Sequence, residues 1–155
     1  MFILDTDASD FAIGAVLSQM QNNQEKVIAY ASHSLTKSEK QYCATRKELL
    51  AVHKYILQFK HYLWGKPFLV RTDHKALVWF LNWKTPNTSQ YMHWKLDLEE
   101  YDFKIEHRNG KNHVNADFLS RLKCEQCELN HEDPKKDVIL KFIQKQRQKV
   151  FMYEN

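Results

Sequence analysis

Apolar runs alternate with polar breaks along this chain, and the period of the pattern changes twice. Phe2-Ile3-Leu4 runs into Asp5-Thr6-Asp7 and reads as a short buried strand over 2–7 with acids at its C-terminal end. After the polar Ser9-Asp10, Phe11 to Met20 is mostly apolar with small residues, Gly14 among them. Asn22-Asn23 is a turn signal, and Val27 to Ala31 is strand-like again. Three such runs joined by short polar turns predict an antiparallel meander.

From Ser34 to Trp64 the apolar positions fall at helical spacing: Cys43, Leu50, Ile56-Leu57 and Leu63. Thr36 and Ser38 are N-cap candidates, and Glu39, three residues after Thr36, fits a capping box. Gly65 and Pro67 end the helix. Pro67 to Asp73 returns to a strand and enters a short apolar helix, His74 to Leu81. Asn82 to Asn87 forms a loop around Pro86, and Thr88 or Ser89 caps a helix that ends near Leu98. Tyr101, Phe103 and Ile105 share one face of a half-exposed strand reaching His107. Asn109-Gly110 breaks it, and Val114 to Leu122 forms a last short helix.

The predicted order, β-β-β-α-β-α-α-β-α, describes an α/β fold. Three antiparallel strands make a mixed five-stranded sheet with two more strands added after helical crossovers, and helices flank it. Ligands of such sheets sit at the C-terminal ends of strands near a switch point, where Asp7 and Asp73 both fall. Residues 1–122 are expected to form this domain. Residues 123–155 read as a polar linker, with Pro134-Lys135-Lys136, and a short basic tail in which Val138 to Val150 has helical character.

Composition narrows the class. A chain of 155 residues, 43% hydrophobic and 13% aromatic, is one globular domain and not a disordered segment. No apolar run approaches the roughly 20 residues of a membrane span. The first residues lack the regions of a signal peptide, so an intracellular protein is expected, cytoplasmic or nuclear. Three cysteines, an odd number, argue against a disulfide framework. The net charge of +4 is spread widely, which allows a polyanionic partner without requiring one.

Four acids stand beside apolar elements: Asp7, Glu48 in Arg46-Lys47-Glu48-Leu49-Leu50, Asp73 in Arg71-Thr72-Asp73-His74, and Asp117 in Ala116-Asp117-Phe118. They are expected to meet in space and hold divalent metal. Their surroundings fall into ordered motifs: Thr6-Asp7-Ala8-Ser9 followed by Ala12-Ile13-Gly14-Ala15-Val16-Leu17; Glu48-Leu49-Leu50-Ala51-Val52; Thr72-Asp73-His74-Lys75-Ala76-Leu77; and Tyr101-Asp102-Phe103-Lys104-Ile105, Gly110, then Ala116-Asp117-Phe118-Leu119-Ser120-Arg121. In order and spacing, residues 2–122 resemble the ribonuclease H domain that follows the polymerase in gypsy-type LTR retrotransposon polyproteins.

That resemblance implies a ribonuclease H-like fold and cleavage of the RNA strand of an RNA/DNA hybrid during reverse transcription. It implies Asp7, Glu48, Asp73 and Asp117 as metal-binding carboxylates, with two Mg2+ ions (Mn2+ as substitute) roughly 4 Å apart activating water and stabilising the leaving oxygen. Mg2+ prefers such hard oxygen ligands. It also implies fusion to polymerase and integrase domains; there is no Y-x-D-D here, and a polymerase site is expected to be absent from this chain. His107, ten residues before Asp117, is either the histidine that assists product release or proton transfer in related enzymes, or an exposed strand-end residue. His113 is a weaker candidate for that role, and His74 is read as orienting the site.

Several other features have two readings. Trp64, Trp79, Trp83 and Trp94 could stack on bases but are read first as core; Lys47, Lys54, Lys60 and Lys66 could track phosphates but are read first as a solvated helix face. Cys124, Cys127 and His131 resemble half a zinc site, C-x2-C-x3-H, for which Asp133 or His113 would supply a fourth ligand; the other reading is a polar linker. Asp5-Thr6-Asp7-Ala8-Ser9 echoes the D-T-G-A-S of aspartic proteases, but Asp7 stands where the tight loop needs glycine, which excludes that class. The alternative to catalysis is a domesticated or truncated fragment that binds nucleic acid or a protein without cutting.

Overall fold

The computed structural model describes residues 1–82, 90–109 and 114–121. These belong to one compact unit, Met1–Lys123. The segment 124–155, with Cys124, Cys127 and His131, lies outside the described residues, as do Trp83 and His113.

Three strands open the chain: β1 (Phe2–Ala8), β2 (Ala12–Gln21) and β3 (Gln24–Ser34). They form the predicted meander, with β1 and β3 antiparallel to β2 on either side. Asn22 and Asn23 both have positive φ, 50° and 60°. Two such residues make the tight turn whose twist matches that of the flanking strands, and asparagine tolerates this region better than most residues. β3 is longer than its apolar run because it pairs along nearly all of β2, and its polar start, Gln24 to Lys26, is exposed.

The helical stretch is three helices and not one: α1 (Lys37–Lys40), α2 (Ala44–Gln58) and α3 (Lys60–Leu63). Thr36 and Glu39 form the expected capping box, but α1 buries no residue and ends after one turn. With no apolar stripe to seat, propensity alone does not sustain a helix of that length. α2 restarts from the extended Cys43 and buries Leu49, Leu50, Ala51, Val52, Tyr55 and Ile56. Gly65, at φ 68°, then turns the chain toward β4 (Phe68–Thr72). α4 (Lys75–Asn82), α5 (Gln90–Leu98), β5 (Phe103–His107) and α6 (Val114–Ser120) complete the order.

The sheet order is β3-β2-β1-β4-β5, with β4 parallel to both β1 and β5. Strand alternation sends side chains to two faces. Leu4, Ile13, Ala15, Leu17, Phe68 and Val70 join Leu49, Val52, Tyr55 and Ile56 in the main core beneath α2. Each such buried aliphatic side chain contributes on the order of 2 kcal/mol. Ile3, Ala12 and Val16 are buried outside that core, and α6 packs against β1, β2 and β3. Gly14 marks that second contact. A Cβ built there would lie 2.6 Å from the Ser120 nitrogen and 2.8 Å from the Ala116 oxygen, so only glycine lets the helix come this close.

Two readings of side chains change. Trp64 and Trp79 are largely exposed and not core, at 58% and 61%; Trp64 meets Tyr101 edge-on at 5.4 Å, and helical spacing alone did not show that both rings stay at the surface. Lys47 is buried and not solvated, because its ammonium reaches Asp10 at 2.8 Å. Its aliphatic stem packs while its head keeps a charged partner.

Candidate active site

β1 and β4 are parallel neighbours, so their C-terminal ends lie side by side. β1 carries Asp7 near its end, and Asp73 follows β4 by one residue. Glu48 comes from the second turn of α2, the helix that the main core presses onto the sheet. One carboxylate oxygen from each of Asp7, Glu48 and Asp73 lies within 4.8 Å of the other two. Asp7 and Glu48 are buried and Asp73 is half-buried.

Glu48 shows what this crowding does. Its Oε1 accepts the backbone N–H of Ala8 at 3.1 Å, while its Oε2 is buried with no hydrogen-bond partner. Burial, then repulsion from Asp7 and Asp73, pushes its carboxyl up to about 9, against a weaker downward pull from the Ala8 N–H and the Thr72 hydroxyl. A carboxylate in this position needs either a proton or a cation. The orphaned Oε2 beside two further hard oxygen donors fits a hard metal cation.

Asp117 stands apart from this group of three. It lies on α6, and its Oδ1 accepts from both Nε and Nη2 of Arg121 at 2.7 Å. Ser120, its neighbour on the same helix, donates its hydroxyl to Asp7 Oδ2 in a short hydrogen bond. The structure thus brings the helix of Asp117 to Asp7 while the Asp117 carboxylate itself is held by arginine.

The remaining candidates surround Asp73. His107 Nε2 lies 3.0 Å from the Asp73 carbonyl, and since a carbonyl only accepts, this nitrogen donates. His74 bonds Thr45 on α2 at 2.9 Å, and its backbone N–H donates to the Thr72 hydroxyl at 3.1 Å, so it ties the Asp73 loop to the helix of Glu48. Asp5, one side-chain pair below Asp7 on β1, is buried and engages Arg108 at 3.0 Å and Arg71 at 3.9 Å. Asp10 lies in the β1–β2 turn, paired with Lys47. The contact sequence reading missed is Ser120: its motif was visible, but nothing in it points to a residue 113 positions away.

The sheet order and the strand-end acids define a ribonuclease H-like fold. The chain belongs to the family described as the RNase H-like domain found in reverse transcriptase, which residues 1–101 match. It is 42% identical over 121 residues to the retrovirus-related Pol polyprotein from transposon 412 of Drosophila melanogaster, covering 78% of this chain and 10% of that protein. It is 43% identical over 125 residues to the corresponding polyprotein of transposon 297 of the same species, covering 81% and 11%. The chain therefore spans about a tenth of the length of these relatives. Among solved structures, LC11-RNase H1 in complex with an RNA/DNA hybrid superimposes with a TM-score of 0.58 at 17% identity, over 77% of this chain and 93% of that one. RNase H1 from the archaeon Halobacterium salinarum NRC-1 gives 0.58 at 17%, over 76% and 91%.

Proposed function

We propose that this domain hydrolyses the RNA strand of RNA/DNA hybrids with the help of divalent cations, as the nuclease part of a retrotransposon polyprotein. The observation that carries this reading is the set of three carboxylates within 4.8 Å of one another at the ends of two parallel strands. Asp7, Glu48 and Asp73 would hold the metal, Mg2+ or Mn2+. When bound, such ions supply an activated water and a counter-charge for the leaving oxygen.

The chain's own residues do the rest. Ala8 and Ser120 fix one oxygen each of Glu48 and Asp7. His74 and His107 hold the Asp73 loop from two sides. Asp117, paired with Arg121 outside the group of three, would be the fourth carboxylate available to a second ion. Hybrid recognition would depend on groove shape and the 2′-hydroxyl rather than on sequence. Polymerase and integrase segments, as part of longer polyproteins, are the partners this reading implies.

The test is cleavage of a labelled RNA/DNA hybrid with Mg2+ or Mn2+, comparing the wild type with Asp73→Asn. Metal-dependent cutting of the RNA strand, lost in the variant, is the expected result. Hybrid binding without cleavage by the wild type would replace the enzyme with a non-cleaving nucleic-acid-binding module.

A further inference from the structure

We propose that Ser120 is a positioning residue: its hydroxyl holds the Asp7 carboxylate in the orientation that accepts a divalent cation, so that seating α6 and aiming Asp7 become one event. The inference rests on the metal reading above.

Ser120 is fully buried, and its Oγ contacts two acceptors, Asp7 Oδ2 and the Asp117 carbonyl at 2.8 Å. A hydroxyl has one proton to give. A carboxylate is the stronger acceptor and makes the shorter bond, so the proton goes to Asp7. A carboxylate has about four lone-pair sites, so an O–H bond to one oxygen does not exclude a cation.

The return contact comes from Ser9, two residues beyond Asp7. Its hydroxyl donates to the Ser120 carbonyl and accepts the N–H groups of Phe11 at 3.2 Å and Ala12 at 3.1 Å. The same two segments thus exchange hydrogen bonds in both directions. On the neighbouring strand Ser32 donates to the Leu119 carbonyl at 2.7 Å. The last carbonyls of a helix have no partner within it, and here the hydroxyls of Ser9, in the β1–β2 turn, and Ser32, in β3, serve them. Gly14 lets the helix settle against β2. Ser9 and Ser32 seat the helix; Ser120 passes that seating to a carboxylate of the site.

The test is titration calorimetry of the full chain with Mn2+, comparing the wild type with Ser120→Ala, Ser120→Cys and Ser32→Ala, with thermal unfolding alongside. Losing a group that orients a ligand weakens metal binding about 10-fold or more. Ser120→Ala is expected to show that loss. Ser120→Cys keeps the volume and a weak donor, and is expected to fold and fall between Ala and wild type. Ser32→Ala is expected to lower the melting temperature and bind Mn2+ as the wild type does. Equal Mn2+ affinity in wild type and both Ser120 variants overturns the role of Ser120 while leaving the metal reading intact; so does an equal loss in Ser32→Ala, which would make helix seating alone responsible. A wild type that takes up no Mn2+ overturns the metal reading and this inference together.

Discussion

The backbone N–H of Ala8 donates to Glu48 Oε1 at 3.1 Å, a bond that joins the end of β1 to the second turn of α2. The other oxygen of the same carboxylate is buried without a partner, and Asp7 and Asp73 stand beside it. One half of Glu48 is thus fixed by the fold, and the other half is held in a dry, negative setting that favours whatever positive group arrives.

That setting predicts a pH dependence with a definite sign. Glu48 is pushed from an ordinary value of 4.5 up to about 9 by burial and by its acidic neighbours. The folded, metal-free protein therefore keeps a proton that the unfolded chain releases from about pH 4.5 upward. Stability from this group is full below the unfolded value and is lost as pH rises through the folded one. In chelator, the melting temperature is expected to fall between pH 5 and pH 9, and the gain on adding Mg2+ is expected to grow over the same range. Glu48→Gln should flatten the metal-free curve. Parallel curves for wild type and variant would sink the assignment.

Arg121 and Asp117 form a pair four residues apart, with side chains 67% and 40% exposed. An exposed pair contributes less than about 1 kcal/mol, so Arg121→Ala is expected to barely change thermal stability. Its effect on the site is larger, because the guanidinium also sits in the field of Asp7 and Asp73. Removing a resident positive charge should tighten Mn2+ binding about threefold at low salt, and less as salt screens the interaction. Unchanged or weaker binding at low salt would show that Arg121 does not compete with the metal.

Local signals were legible where the chain alone decides. Asn22-Asn23, the Thr36–Glu39 capping box and Gly65 before Pro67 all act within a few residues, and each appears as read. The acids at the ends of β1 and β4 were legible because a parallel pairing brings two strand ends together. What the pattern could not carry was partnership. The apolar spacing from 34 to 64 did not reveal that the first turn has nothing to bury against. It did not place Trp64 and Trp79 in solvent, or Lys47 against Asp10. The Asp117–Arg121 pair is the opposite case: Asp followed by Arg at four residues on a helix was a usable signal that the Asp117 carboxylate has a competing partner.

The two described glycines separate two uses of the residue. At Gly14 a Cβ would sit 2.6 Å from the Ser120 nitrogen and 2.7 Å from the Leu119 Cβ, so α6 must move. At Gly65 a Cβ would meet nothing within 4 Å, and only the positive φ of 68° opposes a side chain. Gly14→Ala is expected to lose on the order of 2–3 kcal/mol through overpacking, and to weaken Mn2+ binding because Ser120 moves with the helix. Gly65→Ala is expected to lose about 1 kcal/mol and bind Mn2+ normally. Thermal unfolding and calorimetry check both, and the reverse order would contradict the packing described for α6.

His107 is the residue whose role a pH profile can decide. Its Nε2 donates to the Asp73 carbonyl at 3.0 Å, and Arg108 next to it donates its backbone N–H to the Thr72 carbonyl at 2.8 Å. Both bonds brace the loop that carries Asp73. A carbonyl needs only that Nε2 carry a proton, which holds for the neutral Nε2–H tautomer and for the imidazolium alike. The brace therefore holds in either form of the ring. If bracing is what His107 does, His107→Ala should reduce RNA cleavage about tenfold by the same factor at every pH from 6 to 9, with little change in melting temperature because the side chain is exposed. A group that moves a proton behaves differently: its removal erases one limb of the pH–rate profile. The geometry favours the uniform loss. A vanished limb in the variant's profile would instead assign His107 to proton transfer, and the carbonyl contact would then describe only its resting position.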